Sequence, residues 1–322
     1  MKRKRIILVF ACVLSVGLLL CGCYMGPENG TSEDSSAERW KGSAGGASGF
    51  GSMPPFGGSS GFGSAGASSL PFYSLSDLKA DRSNVGLSDL AALPNKKIGW
   101  GAGYGKNGAQ PIIPREQLDM FAKYGAFCMG SVGSKNVYMT FDLGYESGTT
   151  PSLLDILKEK DVKAVFFITR YYAKKNPELV DRMLKEGHVV GNHSCRHSSF
   201  PDIDLEAIRS EVMDMHDYIR QQFGYEMTLF RFPKGEYSER SLAAVQRLGY
   251  LSAFWSFAYL DYDESKQRGA DYAYRKITDN LHDGAIILLH PESTDNIAAM
   301  PRVVDTIRQR GYKLTLLTGK PE

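Results

Sequence analysis

Residues 137–148 read Val-Tyr-Met-Thr-Phe-Asp-Leu-Gly-Tyr-Glu-Ser-Gly, and this stretch decides how the rest of the chain is interpreted. Its first five residues are apolar or β-prone and predict a buried strand, at whose end lies the Asp142 carboxylate. Gly144 predicts a tight turn after the strand, and Thr150-Pro151 predicts the start of a helix. A carboxylate in this place indicates chemistry rather than packing.

The same succession of a short apolar run and a helix signal repeats along the chain. Six further runs predict strands at 163–169, 188–192, 228–231, 250–256, 285–290 and 312–317. Capping residues and glycines predict helices that begin at Thr150-Pro151 and Asn176-Pro177 and that run from Asp204 to Gly224 and from Ser238 to Gly249. Strands that alternate with helices predict a parallel α/β architecture, either an open sheet or a barrel.

Polar side chains recur where the predicted strands end. They are Asp142, His193 with His197, Arg231, Trp255 and His290. In a parallel barrel the carboxyl ends of the strands form one face, so these separate stretches are expected to converge there. A purely structural protein has little use for such residues at one face, and the pattern therefore predicts an enzyme.

His193 and His197 are four residues apart in Gly-Asn-His-Ser-Cys-Arg-His. On one helical turn both imidazole rings would face the same way, which suits the binding of a divalent cation. The alternative is a pair of surface or capping histidines. Their place at a strand end, opposite a carboxylate, favours the metal-ligand interpretation.

The other polar residues admit several roles. Asp142 is a metal ligand, a general base or a cap on its own turn, and Arg231 is able to orient it through an ion pair. His290 is either a satisfied core histidine or a general acid. A base, a metal and an acid together are the components of metal-assisted hydrolysis of an amide or ester. The predicted catalytic domain has no Gly-x-Ser-x-Gly motif, which argues against a serine nucleophile.

The first 22 residues carry an export signal: four Lys or Arg residues precede an apolar run at 6–20. Residues 20–23, Leu-Cys-Gly-Cys, resemble the lipobox of bacterial lipoproteins, in which Cys23 would be lipidated. A plain secretory signal or an uncleaved anchor are the alternatives.

Residues 23–69 are rich in Gly and Ser and predict a disordered tether. Residues 70–135 predict a lead-in segment that packs on the barrel, with helical apolar spacing at 115–124.

The charge of the mature chain excludes one class of partner. The chain has 38 Lys and Arg against 36 Asp and Glu, and removal of the leader leaves 34 against 36. No basic stripe is present, so nucleic-acid binding is not expected.

Outside the leader only two cysteines remain, Cys128 and Cys195. They could pair in an oxidising exterior, and Cys195 is interpreted as a bystander to the two histidines rather than as a metal ligand.

Five ordered stretches resemble the motifs of the NodB-homology polysaccharide deacetylases, over residues 110–318. They are 140–145, 193–197, 231–235, 255–261 and 288–290. Gly99-Trp100, Tyr145-Glu146 and 254–256 look most like the branch that deacetylates N-acetylmuramic acid in peptidoglycan, a step that precedes muramic δ-lactam formation in spore cortex. The resemblance implies a catalytic domain at 136–318, folded as a distorted (β/α)7-8 barrel.

The resemblance also implies a role for each catalytic residue. Asp142 matches the catalytic base, and Arg231 matches the residue that orients this base. His290 matches the general acid, and Asp261 matches the aspartate that tunes the acid. Water would attack the acetyl carbonyl, and His290 would protonate the departing amine.

Further residues are implied for the metal and the substrate. His193 and His197 match the metal-binding pair, and the metal implied is zinc. The backbone N–H of Tyr145 would help to hold the oxyanion. Trp255 and Pro233 are assigned to the substrate-binding surface.

Two residues depart from the family pattern. Leu143 stands where most of the family has a metal-binding aspartate, so weak metal binding is expected. Tyr262 replaces a tryptophan beside Asp261.

The expected protein is a monomer that is lipid-anchored on the outer face of the plasma membrane and acts on the peptidoglycan glycan strand. An N- or O-deacetylase of another exported polysaccharide and a glycan-binding pseudoenzyme are the alternatives.

Overall fold

A curled parallel sheet forms the centre of the computed structural model, which describes residues 86–105 and 107–321. All of these residues belong to the compact unit Ser69–Glu322. The predicted signal peptide, the tether, the lipidation site Cys23 and residues 70–85 of the lead-in lie outside the described residues. Among the described helices, none combines the length and the apolar character needed to cross a membrane.

The strands of the described residues are β1 Ile98–Gly99, β2 Ala126–Phe127, β3 Asn136–Leu143, β4 Val165–Ile168, β5 Val189–Asn192, β6 Leu229–Phe230, β7 Glu236–Tyr237, β8 Leu251–Ala253, β9 Ala285–Leu289 and β10 Lys313–Leu314. The main sheet has the order β10-β3-β4-β5-β6-β8-β2, and β9 also pairs with β3. Every strand pair in this sheet is parallel. An isolated parallel bridge between Phe257 and Ile287 brings the chain after β8 beside β9, so the sheet curls into a half-barrel.

Eight α-helices are described: α1 Arg115–Lys123, α2 Thr150–Glu159, α3 Arg170–Lys175, α4 Pro177–Lys185, α5 Leu205–Phe223, α6 Glu239–Arg247, α7 Ala270–Thr278 and α8 Thr294–Gln309. Their ends follow from local chemistry. The Asp204 side chain accepts a hydrogen bond from the Ala207 N–H and caps α5, which ends at Gly224 with a left-handed φ of 64°. Ser238 and Ser241 form a capping box on α6.

Strand β3 shows how the sheet separates its two faces. Val137, Met139, Phe141 and Leu143 belong to the large core cluster, which also holds buried side chains of the helices. Tyr138 belongs to the smaller cluster inside the curl, together with side chains of other strands. Because side chains alternate along a strand, Thr140 and Asp142 also point to the inside. The fold therefore places the Asp142 carboxylate within the half-barrel.

The predicted distorted barrel is confirmed, and each predicted strand and helix has a counterpart within a few residues. The lead-in segment, as far as it is described, contains α1, a 3-10 helix at Ser88–Ala92 and strand β1. Strand β1 pairs antiparallel with β7 in a separate two-stranded sheet. The Trp100 indole N–H, directly after β1, donates to the Trp255 carbonyl at 2.9 Å. The lead-in thus packs against the loop that follows β8.

Candidate active site

The Asp142 carboxylate and the Arg231 guanidinium form a buried ion pair at the carboxyl ends of β3 and β6. Asp142 is 6% exposed and Arg231 is fully buried. Arg231 Nη1 donates to Asp142 Oδ1 at 2.8 Å and to Thr140 Oγ1 at 2.8 Å. Its Nε donates to the Ala253 carbonyl at 3.0 Å. These contacts fix both side chains and leave Asp142 Oδ2 free of the guanidinium.

The ion pair decides the protonation state of Asp142. Burial alone would raise the pKa of this carboxyl, because desolvation disfavours the charged form. The charge of Arg231 opposes burial, and the imidazolium forms of His193 and His290 act in the same direction. The net result is a pKa of Asp142 below its ordinary value. Asp142 is therefore ionised at neutral pH and able to accept a proton.

The chain between His193 and His197 corrects one expectation. These residues form a loop after β5, not a helical turn, and Ser194 and His197 have positive φ angles of 70° and 59°. Helix formation is excluded because left-handed residues break the regular backbone. The two imidazole rings nevertheless lie together, with ring centroids 4.9 Å apart and planes at 72°. The predicted pair exists, but the loop rather than a helix brings it together.

The hydrogen bonds of His193 define which of its nitrogens is available. Nδ1 lies 2.9 Å from the Arg231 carbonyl oxygen, which can only accept, so Nδ1 carries the proton. The lone pair of Nε2 is then free, and this atom lies 3.6 Å from Asp142 Oδ2. Burial lowers the pKa of His193, and burial together with the His193 charge lowers that of His197 to about 4. Both rings are neutral at pH 7.

Two neutral imidazoles, one of them oriented by a backbone carbonyl, fit a divalent metal as two of its ligands. Leu143 contributes nothing to such a site, because it is fully buried on the helix side of β3. Among the residues that the structure describes, no group of three or more His, Cys, Asp or Glu side chains could hold a metal ion.

His290 and Asp261 form the second charged pair of the site, at the end of β9. Asp261 Oδ1 accepts from His290 Nδ1 at 2.7 Å, and Oδ2 accepts from the His290 backbone N–H at 2.8 Å. Burial opposes protonation of His290, but the charge and hydrogen bond of Asp261, together with the charges of Asp142 and Glu292, outweigh burial and raise the pKa of His290 to about 9. His290 is therefore protonated at neutral pH, as a general acid must be.

Two residues that support this pair were missed by sequence reasoning. Asn296 Nδ2 donates to Asp261 Oδ2 at 2.6 Å, and the Tyr259 hydroxyl donates to Asn296 Oδ1 at 2.5 Å. Asn296 lies 35 residues after Asp261 in the first turns of α8, and no local pattern marks it. Only the packing of α8 against the loop after β8 brings it to the carboxylate.

Asp261→Asn is expected to lower the pKa of His290 from about 9 toward the ordinary histidine value of about 6.5. The variant removes the negative charge that stabilises the imidazolium and leaves the burial that opposes it. A raised pKa stabilises the fold below pH 6.5, and this contribution is lost as the pH rises through about 9. NMR titration of the His290 ring measures the change. Asp263→Asn serves as the control, and an unchanged His290 pKa in Asp261→Asn would contradict the assignment.

The three residues predicted to contact the substrate lie in the segments that follow β3, β6 and β8. Tyr145 is 46% exposed, and its hydroxyl donates to Glu264 Oε1 at 2.8 Å. The Trp255 ring is 5.8 Å from the Arg231 guanidinium carbon, and Pro233 is buried in the turn after β6. Tyr262 is 55% exposed with its ring 5.7 Å from that of His290. Their roles toward a substrate stay predictions.

The two cysteines outside the leader have no part in this constellation. Cys128 and Cys195 are buried free thiols, and burial raises the pKa of each to about 12. Cys195 Sγ donates to the Ser210 carbonyl at 3.7 Å, on the α5 side of the histidine loop. A protonated, buried thiol is a poor metal ligand, since metals bind the thiolate.

Comparisons with known proteins agree with this geometry. The family described as Polysaccharide deacetylase matches residues 130–253, which include Asp142, His193 and Arg231. Peptidoglycan-N-acetylmuramic acid deacetylase PdaA of Bacillus subtilis is 36% identical over 228 residues, 70% of this chain and 87% of PdaA. The solved structure of PdaA, a family 4 carbohydrate esterase, matches with a TM-score of 0.67, over 69% of this chain and 95% of the PdaA chain. An uncharacterized 30.6 kDa protein of Geobacillus stearothermophilus is 43% identical over 223 residues, 69% of this chain and 84% of that protein.

Proposed function

Because this chain belongs to the polysaccharide deacetylase family, we propose that it removes the N-acetyl group from N-acetylmuramic acid in peptidoglycan. The observation that carries the proposal is that one half-barrel holds both an ionised carboxylate, Asp142, and a protonated imidazole, His290. The similarity to PdaA supports the choice of sugar, because the compared region spans 87% of that relative.

Asp142 acts first in the proposed reaction. Its carboxylate takes a proton from a water molecule while the water oxygen forms a bond to the acetyl carbon. Arg231 keeps Asp142 ionised and holds Oδ1, so that Oδ2 is the oxygen that accepts the proton. The backbone N–H of Tyr145 donates a hydrogen bond to the carbonyl oxygen as it becomes negatively charged.

His290 completes the reaction. Its imidazolium donates a proton to the amide nitrogen as the C–N bond breaks, which releases acetate and a free amine on the sugar. Asp261 accepts the Nδ1–H of His290, so the other ring nitrogen, Nε2, is the one that faces the leaving group. The proton held by Asp142 then passes to solvent, and His290 takes up a proton again.

A divalent metal, which we propose to be zinc, is assigned to His193 and His197. When bound, it would supply Lewis-acid polarisation of the acetyl carbonyl and of the attacking water. The neutral state of both rings supports this assignment, because protonated imidazoles cannot bind a metal. Water or substrate would complete the ligands that Leu143 does not supply, so weak binding is part of the proposal.

The first 69 residues support a proposal for where the enzyme acts in the cell. We propose that the leader exports the protein, that Cys23 is lipidated, and that residues 23–69 tether the enzyme to the outer face of the plasma membrane. The substrate is then the peptidoglycan glycan strand, on which the enzyme acts as a monomer. We also propose that the reaction precedes muramic δ-lactam formation in spore cortex, as the resemblance of Gly99-Trp100, Tyr145-Glu146 and 254–256 to that branch implies.

Incubation of the full chain with peptidoglycan is expected to yield muropeptides that lack the acetyl group on muramic acid. Digestion with a muramidase and mass spectrometry with fragmentation locate the change on one sugar or the other. Peptidoglycan incubated without the protein is the control. Loss of the acetyl group from glucosamine instead would replace the proposed substrate, and unchanged muropeptides together with no release of acetate would contradict the function.

A further inference from the structure

Glu211 on α5 is a buried carboxylate that the proposed reaction does not use. It is fully buried, in a helix face that otherwise packs apolar side chains such as Ile208, Val212 and Met215. A carboxylate in this environment loses its hydration, and only several good hydrogen bonds offset that loss. Three donors that offset it belong to the loop between His193 and His197.

The two carboxylate oxygens of Glu211 bind this loop at three donors. Oε2 accepts from the backbone N–H of Cys195 at 3.0 Å and from that of Arg196 at 2.8 Å. Oε1 accepts from Arg196 Nε at 2.5 Å. Hydrogen bonds from donors to an ionised carboxylate are stronger than neutral ones, so Glu211 holds the middle of the loop firmly.

The backbone N–H groups of the loop are all accounted for. That of His193 donates to the Ile168 carbonyl at 3.1 Å, as part of the sheet. That of Ser194 donates to Asn192 Oδ1 at 2.9 Å, and that of His197 donates to Ser194 Oγ at 2.9 Å. Glu211 takes the remaining two. Side chains thus replace the helical hydrogen bonds that this stretch lacks, and Glu211 is the single residue outside the strand and loop that does so.

The loop also has a backbone that needs restraint. Ser194 and His197 adopt left-handed φ angles, which non-glycine residues rarely adopt without compensating contacts. If the contacts with Glu211 are lost, the segment can relax toward ordinary backbone angles and turn the His197 ring away from that of His193. The 4.9 Å separation of the two ring centroids therefore depends on the loop being held.

We infer that Glu211 is a positioning residue that sets the geometry of the His193–His197 pair by holding the two backbone N–H groups between them. The inference rests on the proposed assignment of these histidines to a divalent metal. It concerns the affinity of the pair for the metal ion, which is measured without any turnover and so is separable from the proposed deacetylation.

Glu211→Gln is expected to weaken Co²⁺ binding to the full chain about tenfold or more, as measured by titration of the d–d absorption bands. The uncharged amide oxygen accepts weaker hydrogen bonds than the carboxylate oxygen does, so the two backbone N–H groups bonded to Glu211 Oε2 are held less firmly. Hydrogen exchange at the Cys195 and Arg196 amides is expected to accelerate in the same variant. Co²⁺ alone is the probe, and no substrate is present.

Two control variants separate the backbone contacts from charge. Arg196→Ala removes the guanidinium and leaves both backbone N–H groups bonded to Glu211, so Co²⁺ affinity should stay within about twofold of wild type. Glu206→Gln removes an exposed carboxylate on the same helix and should also leave the affinity unchanged. Equal weakening in Arg196→Ala and Glu211→Gln would overturn the inference.

A folded Glu211→Gln variant that binds Co²⁺ as tightly as wild type also overturns it, as does a wild-type chain that binds no Co²⁺ at all. If Glu211→Gln does not fold, Glu211→Asp keeps the charge, shortens the side chain by one methylene group, and is expected to show the same weakening. Failure of both variants to fold would overturn the inference by assigning Glu211 to the stability of the barrel.

Discussion

Asp142→Asn is expected to lower the rate of acetate release from peptidoglycan by about 10²–10⁴-fold, the contribution that a positioned general base makes to such a reaction. The amide has nearly the shape of the carboxylate, so the oxygen that accepts from Arg231 Nη1 is retained. What the variant loses is the ability to accept a proton from water. The initial rate of acetate release, measured on protein shown to be folded by circular dichroism, gives the size of the effect.

Asp271→Asn is the matched control for this prediction. Asp271 also forms an ion pair with an arginine, Arg302 at 2.6 Å, but its side chain is 70% exposed and lies on α7, away from the strand ends. Its replacement should leave the rate unchanged within about twofold. A rate for Asp142→Asn that equals the wild-type rate would remove Asp142 from the role of base. Equal losses in the two variants would point to a general effect of charge.

The sequence predicts the charged pairs well because the physics of a parallel sheet is simple. Each strand is marked by a short apolar run, and the polar residue at its end must lie at the common edge. For this reason Asp142, Arg231 and His290 could be placed in one site from sequence, although 148 residues separate the first from the last. The structure adds the distances that fix the charge of each group.

The residues that support these pairs could not be predicted in the same way. Glu211 binds Cys195 and Arg196, which precede it by 16 and 15 residues. Asn296 binds Asp261, which precedes it by 35 residues. Both are on helices, where a lone polar residue normally indicates a solvated face. Their burial depends on how α5 and α8 pack on the sheet, which helical periodicity does not specify.

The loop between His193 and His197 shows why the spacing of two residues alone does not predict the backbone conformation. A separation of four residues is compatible with a helical turn and with a tight loop, and the sequence pattern favoured the turn. Ser194 takes a left-handed φ angle. The Asn192 side chain accepts from the N–H of Ser194, and the Glu211 side chain accepts from the N–H groups of Cys195 and Arg196. These contacts stabilise a loop where local propensity gives no signal for one, so tertiary structure decides the conformation.

Arg231→Met is expected to lower the free energy of unfolding by about 3–5 kcal/mol at pH 7, because it leaves Asp142 buried without its counter-charge. The carbonyl of Ala253 and the hydroxyl of Thr140 lose their donor at the same time. Urea or guanidinium unfolding followed by circular dichroism measures the loss. Arg302→Met breaks an exposed pair and should cost less than about 1 kcal/mol.

The pH dependence of this loss distinguishes a buried charge from a packing defect. In the wild type the pKa of Asp142 is below its ordinary value of 3.8, so the pair contributes stability above pH 3.8 and loses it as the pH falls. In Arg231→Met the largest charge that opposes burial is gone, so burial raises that pKa and protonation relieves the penalty at low pH. The difference between the two proteins should therefore shrink from pH 7 to pH 4, whereas a cavity would cost the same at both. Replacing both residues, in Arg231→Met with Asp142→Asn, should recover part of the loss at pH 7, because no ionised group is then left buried alone.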